Sequence, residues 1–332
     1  MARRRGRPLL NASIAWRWGV ATIGVVVLAA TVLFGGGASA HDLQPHSHWI
    51  AFARYVPALD DDATFLVNLN TGKTRRLYPG ASNSPHWSPD GRRVAVSGCA
   101  DPPACNTAAI LVNPRTGRSR AIPMPEPNRI FTACNLWTRD GRRLACEGEG
   151  LDDSSLTGVY TISLAGTGLR QVTRNPNGGL DAPADYSADG TRLLFTREDP
   201  NRPARADSAL FVKNLIRHKT HRITPWGYSD AEASWSPTAA KIAFEHRGHL
   251  YIAHPNGAPP KRMRLHARTG YGAGDFAWSP NGTRLAFILA VPRDGGGYRE
   301  GIAIARADGS HVRWMTTSPT FDHQPDWRPA AE

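Results

Sequence analysis

The sequence predicts an all-β protein: a six-bladed β-propeller of four-stranded antiparallel blades, its ring closed by the C-terminal strand joining the N-terminal blade. Three observations predict it. An aromatic residue, a tight turn and an apolar run recur together roughly every 43–50 residues, the period of a propeller blade. The 332-residue chain spreads 32 Gly and 26 Pro along its length, which implies many turns between many short strands. Its last repeat stops after one strand at Trp327, while the first begins one strand short at Trp49.

Residues 1–40 read as a signal peptide and stand outside the fold. Arg3, Arg4, Arg5, Arg7 and Arg17 form a basic leader, Gly19 to Phe34 is an uncharged apolar run, and Gly35 to Ala40 are small residues ending in an A-x-A cleavage pattern. The run is short beside the roughly 20 residues of a membrane span. Cleavage would make His41 the first residue, and an uncleaved anchor is the alternative. Residues 41–332 then form the propeller, with no transmembrane span once the signal is removed. Five arginines behind the +12 formal charge lie in the leader. The remainder is mildly basic, which argues against nucleic acid and fits an anionic envelope surface by general steering.

The repeat is clearest at Trp87-Ser88-Pro89-Asp90-Gly91, followed by Val94-Ala95-Val96. Trp137, Tyr186, Trp235, Trp278 and Trp327 anchor the other copies. In each unit, strand A ends at the aromatic anchor. Ser-Pro-Asp-Gly makes a type I turn, with Pro second and Gly fourth. Strand B is the apolar run, as in Leu285-Ala286-Phe287-Ile288. Strand C follows, as in Phe65 to Leu69, then a Gly turn such as Asn70-Thr71-Gly72, and strand D, as in Arg75 to Leu77. The copy at Trp235 has Thr238-Ala239-Ala240 in place of Asp-Gly, so its turn should differ. The strand ending at Trp327 supplies the strand A that the first blade lacks, which hides both sheet edges.

These W-S-P-D-G…I-A-F units resemble the TolB-like propeller repeat, a WD40-like family, over roughly residues 48 to 329. The resemblance implies a protein-binding module of the cell envelope. The extra N-terminal domain of familiar TolB proteins has no counterpart here, since only His41 to Ser47 precede the first strand.

Cys99, Cys105, Cys134 and Cys146 allow three pairings. Cys134 and Cys146 flank a turn almost symmetrically and can face each other across a hairpin, while Cys99 and Cys105 would close a small loop around Pro102-Pro103. The expected bridges are therefore 99–105 and 134–146. Free thiols are the alternative, and the spacing is not a zinc pattern.

The A-to-B and C-to-D turns should lie on one face, short and structural. Cations such as Arg217-His218-Lys219 read there as solvated charges that discourage edge pairing. The D-to-A and B-to-C connections lie on the other face and are longer, with insertions at Gly98–Thr107, Glu147–Leu156, Asp199–Ser208 and Pro292–Glu300. Loops on a rigid scaffold are where binding usually sits. Five residues before each anchor stand Ser82, Thr132, Asp181, Asp230, Ala273 and Asp322, with Asp185, Glu232, Asp275, His323 and Asp326 nearby. One reading makes Asp181, Asp230, Glu232, Asp275, Asp322 and His323 a partner-binding acidic channel mouth for a basic peptide or a cation. The other has the aspartates capping turns.

No G-x-S-x-G elbow, H-E-x-x-H or phosphate-binding loop occurs. The expected function is an exported, non-catalytic, monomeric propeller that binds a protein or peptide of the envelope, whether periplasmic, wall-associated or extracellular. No cofactor is required by this reading. The alternative is a metal-dependent channel enzyme of lactonase or lyase type, with calcium held by the Asp cluster. Copper chelation by His41, His46 and His48 is a separate expectation, because nitrogen donors suit that metal.

Overall fold

The computed structural model describes residues 48–102, 105–204, 206–228, 233–238, 240–267 and 272–329. The leader 1–40, with His41, His46, Asp230 and Glu232, lies outside these residues.

Six four-stranded antiparallel sheets form the fold. The first blade is built from Asp322–Trp327, Trp49–Val56, Asp61–Asn68 and Thr74–Arg76, in that order across the sheet. Ile50 pairs with Trp327 and Arg54 with Asp322, so the C-terminal strand closes the ring as expected. The other five blades use four consecutive strands each, from Asn83–Trp87 in blade 2 to Arg313–Trp314 in blade 6. Successive strands A touch one another around a closed ring, which places them innermost, around the channel. Among the described residues the single helical turn is Ser154–Leu156, and no helix is long and apolar enough to cross a membrane.

The residue pattern explains the strands. Strand B is enclosed between neighbouring blades on both faces, so it is a continuous apolar run rather than an alternating one. Phe52, Phe195, Phe244 and Phe287 occupy equivalent strand B positions and are fully buried. Burying each such ring contributes about 2–3 kcal/mol before conformational entropy is subtracted. The six aromatic anchors are 2–8% exposed.

The turn after each anchor is built as its residues require. The Gly91 N–H donates to the Ser88 carbonyl, and Gly91 takes φ +63° where a side chain would strain the backbone. Gly141, Gly190 and Gly282 repeat both features. At the divergent copy, the hairpin still closes through Ser236 N–H to the Lys241 carbonyl, although Ala239 lies outside the described residues.

One connection differs from its sequence reading. The insertion at Pro292–Glu300 is partly strand: Arg284–Pro292 and Tyr298–Arg306 pair as far as Pro292 and Tyr298, leaving residues 293–297 as a Gly-rich turn. The alternating burial of Leu289, Ala290 and Val291 carries the strand as far as Pro292.

Candidate functional site

Strand A carries the candidate residues, because it alone runs along the channel from the loop face to the turn face. Each strand A that starts Asn83, Ile130, Asp181 or Gly272, and the closing strand, contains a register shift about three residues before its anchor. Ser84, Asp275 and Gln324 take positive φ there. Such a bulge re-aims the side chains on either side of it.

The position just before the anchor faces the next blade and latches to it. Asp326 accepts the Trp87 N–H at 2.7 Å, and Asp185 accepts the Trp235 N–H at 2.8 Å. Ser234 accepts the Trp278 indole N–H through its carbonyl, as His86 does for Trp137 and Ala277 for Trp327. Tyr186 has no indole, and there Arg139 reaches across to the Tyr186 carbonyl and to Asp185. All six blade interfaces therefore carry a polar latch of this kind. Burial pushes the Asp326 carboxyl up to about 7, with repulsion from Asp185 adding to it. Burial also raises Asp185 and lowers the His86 imidazole to about 4.

Asp181 and Asp322 do not stand in an open acidic mouth. Both side chains are fully buried, and each carboxylate receives a two-pronged guanidinium. Arg197 meets Asp181 through two contacts of 2.7 Å, and Arg54 meets Asp322 through contacts of 2.5 and 2.8 Å. Thr173 donates a further bond to Asp181. Each guanidinium lies over two aromatic rings, Phe52 and Phe65 for Arg54, Phe195 and Phe211 for Arg197. These are closed internal ion pairs. In each pair the guanidinium fork already supplies the balancing positive charge to both carboxylate oxygens. The signal that reveals this in the sequence is the spacing Phe-x-Arg, present at Phe52 and Phe195 and absent from the other blades.

The structure does bring Asp275 and His323 together. Burial pushes the Asp275 carboxyl up while His323 pulls it down, and the Gln324 N–H donates to it at 3.0 Å. His323 also lies 3.1 Å from Asp62. His48 lies far from this group in the chain, on the pocket beside Trp327. Among the described residues no three His, Cys, Asp or Glu side chains converge to hold a metal ion. Asp230 and Glu232 of the expected acidic group lie outside those residues.

Both disulfides form as expected, Cys99–Cys105 and Cys134–Cys146.

Sequence reasoning missed the loop face's apolar residues. Leu59, Phe131, Leu151, Tyr298 and Phe321 are all at least 36% exposed; Leu59, Leu151 and Phe321 lie on B-to-C or D-to-A connections, and Phe131 and Tyr298 at the loop-face ends of a strand A and a strand C. Beside Phe131 and Leu151, burial pushes the Glu147 carboxyl up to about 7, with Glu198 and Glu149 adding repulsion. Glu198 is raised as well, by burial and by Asp207. An isolated Leu or Phe next to a loop carries no periodic signal, so only the fold shows that these share one face.

No family model matches the chain, and no curated protein does. Solved structures do. TolB from Acinetobacter baumannii aligns at 17% identity with a TM-score of 0.63, over 86% of this chain and 68% of that one. A putative TolB from Agrobacterium tumefaciens aligns at 15% identity and 0.61, over 85% and 99%. An oligogalacturonate lyase in complex with manganese aligns at 15% identity and 0.51, over 83% and 75%. At these identities the likeness is one of fold, and the fold is the TolB-like six-bladed propeller.

Proposed function

We propose that this chain is an exported, non-catalytic propeller that binds a protein or peptide partner through its loop face. The observation that carries the reading is the asymmetry of the two faces. Of the large apolar side chains exposed on the described residues, all but Ile216 lie on the loop face. Large exposed apolar side chains gathered on one face suit a protein contact. The carboxylates of Glu147, Glu149 and Glu198 around Phe131 and Leu151 favour a partner that presents basic and apolar groups together. Two disulfides fit an oxidising compartment, which supports export. The TolB-like fold is consistent with a binding module, although fold alone does not assign function.

The test is capture from native envelope extract with the full chain, beside the Phe131→Ser/Leu151→Ser variant. A partner retained by wild type and by an Arg118→Ser turn-face variant, but reduced at least about tenfold by the loop-face variant, supports the reading. Retention by all three would overturn it. Binding should also strengthen as pH rises through about 7, because Glu147 gains its charge there.

A further inference from the structure

The face opposite the loops has its own character. Short hairpins line it: Ser88, Thr138, Ser187, Ser236 and Ser279 each donate a backbone N–H to a carbonyl five residues on. These equivalent bonds close each A-to-B turn over the same number of residues, which keeps this rim to short hairpins.

That rim is cationic. Every A-to-B and C-to-D turn carries an Arg or Lys at the turn or at the first residue of the strand after it. Arg118, Arg142, Lys219, Lys241, Arg284 and Arg313 are exposed examples from six different turns. The carboxylates among them are outnumbered and are tied into their own turns. Asp90, Asp140 and Asp189 each accept a hydroxyl and a backbone N–H, and Asp308 accepts the Ser310 N–H. Each is held below the usual carboxylate range by those bonds, with burial opposing.

One apolar side chain breaks the pattern. Ile216 is 71% exposed at the tip of the blade 4 C-to-D turn. Its turn is fixed by the Asn214 side chain, which accepts the Ile216 and Arg217 N–H groups. Asn68 and Asn113 build the same turn in blades 1 and 2, accepting from Asn70 and Thr71 and from Arg115 and Thr116. The structural position that holds Ile216 thus holds Asn70 and Arg115 elsewhere. The turn needs nothing apolar there, and most of the Ile216 side chain stands in solvent. Arg217 and Lys219, both exposed, stand beside it.

We infer that the turn face docks on a bilayer containing anionic lipid, its cations on the headgroup phosphates and Ile216 inserted shallowly among them. A flat surface engages cations spread around a whole ring at once, whereas a rod such as duplex nucleic acid meets only a strip of them. A protein interface would bury a contiguous apolar core, and this face has a single large apolar tip among the described residues. Distributed Lys and Arg with a shallow apolar anchor is the chemistry of interfacial membrane binding. Docked this way, the loop face points away from the membrane.

The test uses the full chain with phosphatidylcholine vesicles, with and without phosphatidylglycerol. All variants share the basic leader, so differences between variants report the propeller. Preference for phosphatidylglycerol vesicles should fall with added salt. It should drop at least about tenfold in the Arg118→Glu/Arg217→Glu/Lys219→Glu variant and stay unchanged in Arg293→Glu on the loop face. All four native cysteines are in disulfides. A Cys introduced by Ile216→Cys therefore takes an environment-sensitive fluorophore selectively. Its emission should shift blue on the anionic vesicles, while the same fluorophore at Phe321→Cys stays unchanged. An unchanged signal at 216 on vesicle-bound protein overturns the proposal. So does equal loss from the loop-face variant, absence of any preference for anionic vesicles, or displacement of the vesicles by duplex DNA.

Discussion

Blades 1 and 4 close their corner beside the channel with a buried ion pair, whereas blades 2 and 3 carry a disulfide near theirs. Two residues beyond the buried strand B position stand Arg54 and Arg197 in the first pair of blades, facing Asp322 and Asp181. In the second pair the same positions are Gly98 and Gly148, and the facing residues shrink to Ser82 and Thr132. These glycines leave no room for more. A Cβ on Gly98 would stand 2.6 Å from the Ala81 carbonyl, and one on Gly148 would stand 2.4 Å from the Tyr160 ring. Cys99–Cys105 begins directly after Gly98, and Cys134–Cys146 ends two residues before Gly148. In these four blades the same corner is thus closed by two different means.

The largest expected effect tests the ionic corner. Arg197→Ala leaves the Asp181 carboxylate buried without its partner, which should cost about 3–5 kcal/mol in urea unfolding. Replacing both, as Arg197→Leu/Asp181→Ala, should recover much of that loss. A double variant as unstable as the single one would show that the pair does not close the corner. The covalent corners come next. In the chain-entropy account the Cys134→Ala/Cys146→Ala variant, which opens a loop of sequence separation 12, should lose about 3 kcal/mol. Cys99→Ala/Cys105→Ala, at separation 6, should lose about 2 kcal/mol. Equal losses would point to strain or packing rather than chain entropy. The last effect concerns the latch between blades and is read from its pH dependence. The Asp326 carboxyl is raised above its unfolded value, so its contribution to stability is present below about pH 4 and lost as pH rises through about 7. Asp326→Asn keeps an acceptor for the Trp87 N–H and should flatten thermal stability across that window. An unchanged pH profile would remove Asp326 as the cause.

The sequence made the scaffold legible because the scaffold repeats. The anchors, turn chemistry, ring closure and both disulfides follow from local patterns that recur or sit close together. The fate of the aspartates was not legible in this way. Asp181 and Asp322 look like Asp230 when counted back from an anchor, and what neutralises them comes from another strand. For Asp322 that residue is Arg54, at a sequence separation of 268. The latch at Asp185 and Asp326 was hidden for a similar reason, because it acts on the anchor of the next blade. The loop-face apolar residues and Ile216 are single residues without a period, and only burial in the folded chain separates them from ordinary core positions.

The pairing of Asp322–Trp327 with Trp49–Val56 has a consequence for how the molecule is made. A ribosome that has finished five and a half blades has still produced a first sheet with one bare edge. Throughout that interval the backbone of Trp49–Val56 is an exposed template on which other strands could add. The last strand must then find a partner hundreds of residues upstream, a slow, long-range closure. Until Asp322–Trp327 pairs with it, that edge stays open to other strands. Clipping a handful of C-terminal residues should therefore change aggregation far more than it changes mass.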